Sequence, residues 1–162
     1  MDTLSTSTGE RIMANEKQLA ILNAMAQGWF GNSQQHSIHA EIIRQKGYGK
    51  LAAKMQAEAE DEWKEAQRVN ARLLELGCTP KVAIDSFPVF ADIREMLAYD
   101  HEEGTKGMAG LNAALAEFAD DYITRKMIEE FIVDEQEHTN WLAEHLSLIE
   151  EIGYQNYLIQ QL

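Results

Sequence analysis

Proline is nearly absent, with only Pro80 and Pro88 in 162 residues, both in one short stretch. A chain so poor in the residue that breaks helices, and rich in Ala, Leu, Glu, Gln, Lys and Met, is composed for long helices rather than strands. Cysteine is reduced to Cys78, which excludes an intramolecular disulfide and suits a reducing compartment, with the thiol acting as an inert apolar residue. Basic residues are scarce: 14 Lys and Arg stand against 27 Asp and Glu, for a formal net charge of −13. That balance argues against sustained contact with nucleic acid and favours attraction of cations. No apolar run is long enough to cross a membrane. Residues 1–18 lack the basic start and apolar core of a signal peptide. The expectation is an all-α protein of the cytoplasm, with a core that needs no disulfide.

Apolar stripes at steps of three and four predict four helices. The first runs Leu19, Leu22, Ala26, Trp29, Ser33, His36, Ala40, Ile43 and ends at the Lys46-Gly47-Tyr48-Gly49 turn. The second, Leu51, Met55, Glu58, Glu62, Glu65, Val69, Leu73, Leu76, stops at Gly77. The third is Ile93, Leu97, Asp100, Gly104, Met108, Leu111, Leu115, Phe118, weakened by Gly104, Gly107 and Gly110 and followed by Asp120-Asp121 as turn and N-cap. The fourth, Ile128, Phe131, Glu135, His138, Leu142, Leu146, Ile149, continues until Gly153. A short fifth helix is expected over 154–162, too short to be stable alone and therefore folded against neighbouring copies. Pro80, Asp85-Ser86 and Pro88 make the segment after Cys78 an irregular crossover along the bundle. Residues 1–14 are expected to form a mobile N-terminal tail and 15–162 the bundle domain.

Polar residues interrupt these stripes. Glu58, Glu62 and Glu65 stack on the buried side of the second helix. Buried like charges repel, and leaving one uncompensated costs several kcal/mol or forces it to keep its proton, so a cation between the helices is the economical explanation. On the fourth helix, Glu135 and His138 stand three apart and face the core, a spacing used by di-iron carboxylate bundles, although such a pair also occurs as a simple salt bridge. His36 and Asp100 occupy stripe positions on the first and third helices, as ligands or as satisfied core polar groups. His39, His101 and His145 fall off the stripes and are expected at the surface.

The chain resembles the bacterioferritin family. The likeness lies in Asp134-Glu135-Gln136-Glu137-His138-Thr139-Asn140-Trp141-Leu142 and in Leu148-Ile149-Glu150-Glu151-Ile152-Gly153-Tyr154-Gln155-Asn156-Tyr157-Leu158. It extends through Asp61-Glu62-Trp63-Lys64-Glu65-Ala66, Leu73-Leu74-Glu75-Leu76-Gly77 and Asp92-Ile93-Arg94-Glu95-Met96-Leu97. The resemblance implies a ferritin-like four-helix bundle, with a long crossover between the second and third helices and a short C-terminal fifth helix. It further implies a homo-oligomeric cage, of 24 subunits rather than 12, with no nucleic-acid or membrane partner. Of the family's di-iron ligands, Glu62, Glu135 and His138 match, while the histidine of the second helix falls on Glu65. The glutamate of the first helix falls on Trp29 and that of the third on Gly104, neither of which binds metal. The haem methionine falls on Trp63, so no haem is expected.

A displaced site is expected where His36, Glu58, Asp100 and His138 meet, roughly 10 Å along the bundle from Trp29. The candidate metal ligands are then His36, Glu58, Glu62, Glu65, Asp100, Glu135 and His138, a donor set suited to Fe, Mn or Zn, with iron, singly or as a di-iron pair, implied by the resemblance. The implied function is an iron-binding cage subunit that oxidises Fe(II) with O2 or peroxide and stores Fe(III), a ferroxidase if the site is intact or displaced. The alternatives are a non-catalytic cage subunit, a miniferritin-type protein that consumes peroxide and iron, and a metal oxidase of an organic substrate. The DNA-binding miniferritin form is disfavoured because Arg11 and Lys17 are balanced by Asp2, Glu10 and Glu16.

Overall fold

The computed structural model of the protein describes residues 13–162, so the expected tail over 1–14 lies outside the described residues except for Met13 and Ala14. Four long helices form where the stripes predict them: α1 Glu16–Gln45, α2 Gly49–Glu75, α3 Ile93–Ala114 and α4 Tyr122–Ile152. A 3-10 turn, Leu115–Phe118, closes α3, and α5 spans Tyr154–Ile159. Three of the four long helices start on a side-chain cap. Asn15 and Gln18 form a reciprocal capping box at α1, while the Asp92 and Asp121 carboxylates accept from the Glu95 and Thr124 amides at α3 and α4. Gly47, Gly77 and Gly153 end α1, α2 and α4 with φ of 93°, 82° and 83°, a region that favours glycine.

The stripes become the buried faces, and their apolar residues separate into two halves. Ala40, Ile43, Met55, Leu97, Leu142 and Ile149 pack together at one end. Leu22, Trp29, Val69, Leu73, Ile128 and Phe131 pack at the other. The polar interruptions of all four stripes fall between them, so the bundle has an ionisable layer at mid-length.

The crossover over 78–92 lies along α1, and a single row of α1 residues at steps of four receives it. Asn23 Oδ1 accepts from the Lys81 amide at 2.9 Å, the Gln27 carbonyl from the Asp85 amide at 3.1 Å, and Gln35 Nε2 donates to the Pro88 carbonyl at 2.6 Å. His39 ends the row, its Nε2 accepting from the Phe90 amide at 3.1 Å. Gly31, in the middle, has no side chain because the Asp85 carbonyl and the Phe87 ring occupy that space. The crossover thus travels from the start of α1 towards its end, which makes α3 antiparallel to α1 and α4 parallel to it.

Two surface expectations are corrected. His39 is buried, since the crossover covers it, and burial together with the neighbouring His36 lowers its pKa to about 4, leaving it the neutral acceptor that the Phe90 amide requires. His145 is half-buried, its Nδ1 lying 2.8 Å from the Tyr157 hydroxyl. That contact belongs to a third correction. The segment after α4 packs on its own bundle: Gly153 turns the chain back, Tyr157 and Leu158 enter the core, and the Lys50 amide donates to the Gln161 carbonyl at 3.1 Å. Ile159 and Leu162 remain exposed.

Candidate metal centre at mid-bundle

At the ionisable layer α1, α3 and α4 each contribute one inward polar side chain and α2 two, and these five form one alternating chain. His36 Nδ1 lies 2.8 Å from Glu62 Oε2, and His36 Nε2 lies 3.1 Å from Asp100 Oδ1. Asp100 Oδ2 meets His138 Nε2 at 2.9 Å, and His138 Nδ1 stands 3.0 Å from Glu58 Oε2. The last contact has ion-pair distance without hydrogen-bond alignment, so His138 Nδ1 is a buried nitrogen with no aligned partner. Lys54, 3.3 Å from Glu58, ends the chain near the surface. The displaced level read from the sequence is therefore a real meeting point of His36, Glu58, Asp100 and His138, and Glu62 joins it.

The electrostatics follow from this alternation. Burial alone would push both imidazoles down, but Asp100 and Glu62 hold His36 well above the usual histidine value, and Asp100 and Glu58 raise His138 to about 10. Burial opposes ionisation of Asp100 as well, yet the two imidazoliums hold it well below the usual carboxylate range. Glu58 is lowered against its burial by His138 and Lys54, whereas burial keeps Glu62 raised despite His36. In this arrangement the cations that compensate the glutamates are imidazoliums from α1 and α4.

Glu65 and Glu135 lie outside the chain of contacts. Burial, with repulsion from Glu135 and other carboxylates, raises Glu65 to about 9. Burial raises Glu135 to about 7, and its carboxylate leans into the space beside Gly104, where a Cβ would stand 2.6 Å from Oε1. Trp29 packs against Phe131 with ring centroids 4.6 Å apart, so this position of α1 belongs to the apolar core. Among the described residues no group of three or more His, Cys, Asp or Glu side chains is arranged to hold a metal ion. The donors fit iron by type, as hard oxygens with imidazoles, but each imidazole would first have to lose a proton and each carboxylate rotate off its ring, so uptake here would release protons.

The protonation pattern sets the expected stability profile. His138 (raised to about 10 from 6.5), Glu65 and Glu135 (raised to about 9 and 7 from 4.5) all bind protons more tightly when folded, so stability falls as pH rises through these values. Asp100 and Glu58 are lowered, so their contribution is lost in acid, below about 4. The thermal midpoint of metal-free protein should therefore peak near about pH 4.5 and decline steadily from there to about pH 9. A flat or rising alkaline limb in a calorimetric series would contradict the imidazolium assignment.

The family model of the ferritin-like domain matches residues 19–152, which include every helix that contributes to this layer. The chain belongs to the ferritin-like family. This ferritin-like protein is 31% identical over 154 residues to a bacterial ferritin of Neisseria meningitidis serogroup B, covering 93% of this chain and 100% of that one. It is 34% identical over 148 residues to a bacterial ferritin of Synechocystis, covering 89% of this chain and 95% of that one. A bacterioferritin of Mycobacterium tuberculosis is 25% identical over 147 residues, covering 88% of this chain and 91% of that protein. No helix among the described residues is long and apolar enough to cross a membrane.

Proposed function

We propose that this ferritin-like chain is a cytoplasmic subunit of an iron-storage cage, with a mid-bundle layer that is closed by imidazolium–carboxylate pairs instead of standing ready as a di-iron oxidation centre. The observation that carries this reading is the chain from Glu62 through His36, Asp100 and His138 to Glu58, in which each imidazole lies between two carboxylates. Trp29 and Gly104 support it, since neither brings a donor to the level where Glu62 and Glu135 would need bridging partners. Iron is cargo in this reading, and many copies of an acidic chain around one cavity concentrate cations where mineral forms.

Stopped-flow mixing of Fe(II) and O2 with pure apoprotein tests it. The expected trace has no fast saturable phase, only slow growth of ferric absorbance. A second reading, oxidation at the displaced level, is favoured by the convergence of His36, Glu58, Asp100 and His138 from four helices and by the unaligned His138 Nδ1. A fast phase that saturates near two Fe(II) per subunit and disappears in His138→Ala would establish that reading in place of the first. Light scattering should give a closed assembly of about 24 copies, and a monomer or dimer would remove the storage role. Protein made with ample haem should show no Soret band, because Trp63, half-exposed beside Phe30 at 4.7 Å, has no axial ligand to offer.

A further inference from the structure

The ionisable layer is reached from two opposite sides of the bundle, and only one opening carries basic side chains. The groove between α2 and α4 mixes Lys54, Lys64 and Arg68 with six carboxylates, Glu135 among them. The opening between α1 and α3 is a cavity of about 170 Å³ with no Lys or Arg in its lining. One wall is the buried Trp29 indole with Met25 and Leu111, and the floor is formed by Glu62, Asp100 and Glu135 from three helices. Glycines keep it open. Gly104 leaves the space into which Glu135 leans, and a Cβ on Gly107, at the exposed rim, would meet nothing within 4 Å.

The floor carboxylates are not equivalent. Glu62 and Asp100 are engaged by His36 and His138. No hydrogen bond from any described residue reaches the Glu135 carboxylate, and only its backbone carbonyl accepts one, from the Thr139 hydroxyl. A metal ion needs several free donors converging on one point, whereas an ammonium group needs one or two acceptors and gains from an aromatic face beside it. A cavity of roughly 150 Å³ takes a benzene ring, so this one has room for a ring or short chain with a small charged head.

We propose that the α1–α3 cavity binds a small organic cation, its ammonium head at Glu135 and its apolar body against Trp29. This goes beyond the storage reading and does not depend on iron. Isothermal titration of the full-length, metal-free protein at about pH 8, where both carboxylate and amine are charged, tests it with benzylammonium, and with benzyl alcohol as the uncharged analogue. Saturable binding of the amine, at least about tenfold tighter than the alcohol, is expected. Gly107→Trp should fill the mouth and weaken amine binding at least about tenfold, as should Glu135→Gln, which keeps the size of the side chain and removes its charge. Gly110→Trp, also on α3 with open space at its Cβ but outside the cavity, should bind as the parent does. Absence of saturable heat, equal binding of the alcohol, parent-like binding by both Gly107→Trp and Glu135→Gln, or equal loss in Gly110→Trp would each overturn the proposal. Iron uptake measured on the same samples separates the two readings: a cage that stores iron but binds no amine refutes only this one, and amine binding by protein that stores no iron supports it while refuting storage.

Discussion

Asp100→Asn is expected to destabilise the apoprotein by about 3–5 kcal/mol, which for a chain of this length lowers the thermal midpoint by roughly 10 °C. Asp100 holds two imidazoliums at once, His36 Nε2 at 3.1 Å and His138 Nε2 at 2.9 Å. An asparagine keeps the volume but offers a single acceptor and turns an amide donor towards one ring, so a buried cation loses its counter-charge. The loss should shrink as pH rises towards 10, because His138 then gives up its proton in the parent too. Glu102→Gln on the same helix, exposed and paired only with Lys106, should leave the midpoint unchanged. A midpoint for Asp100→Asn within a degree or two of the parent would mean that the layer is held by packing and that its ion pairs contribute little.

Gly31→Ala is expected to cost about 3 kcal/mol, although alanine is the better helix former by about 1 kcal/mol. Its Cβ would overlap the Asp85 carbonyl and stand 2.6 Å from the Phe87 ring, and backbone whose Asp85 amide is bonded to the Gln27 carbonyl cannot swing aside as a side-chain tip can. The local consequence should be earlier proteolytic cleavage within 78–92, the segment that α1 holds through Asn23, Gln27, Gln35 and His39. Gly110→Ala, with nothing within 4 Å of the new Cβ, is the control and should stabilise slightly by propensity alone. Equal midpoints for the two alanine variants would show that the crossover does not rest on α1.

The four helices, their order and their buried faces were legible in the chain because a period of three to four apolar residues has one geometric solution, a helix with one face inside. The stops at Gly47, Gly77 and Gly153 and the cap at Asp121 were legible for the same local reason: they depend on the residue's own backbone and side chain. So was the meeting of His36, Glu58, Asp100 and His138, since the rise per residue places positions on antiparallel helices at a common level. His39 was misplaced because its burial comes from a segment fifty residues away, and a helical stripe records what the bundle covers but not what a crossover covers. The Asn23, Gln27, Gly31, Gln35, His39 row carries that signal as polar and small residues at steps of four.

The sequence by itself determined that several carboxylates and two histidines would be buried together and that Trp29 and Gly104 would bring no donor to them. Only the tertiary structure decided how the charges are compensated. A count of buried glutamates requires cations but not their identity, and it is the distances from Asp100, Glu62 and Glu58 to the two imidazoles that make histidine the counter-charge in this arrangement. Only the tertiary structure could place an open cavity beside Glu135 as well, because empty space depends on how far apart α1 and α3 pack, and no residue type encodes that separation alone.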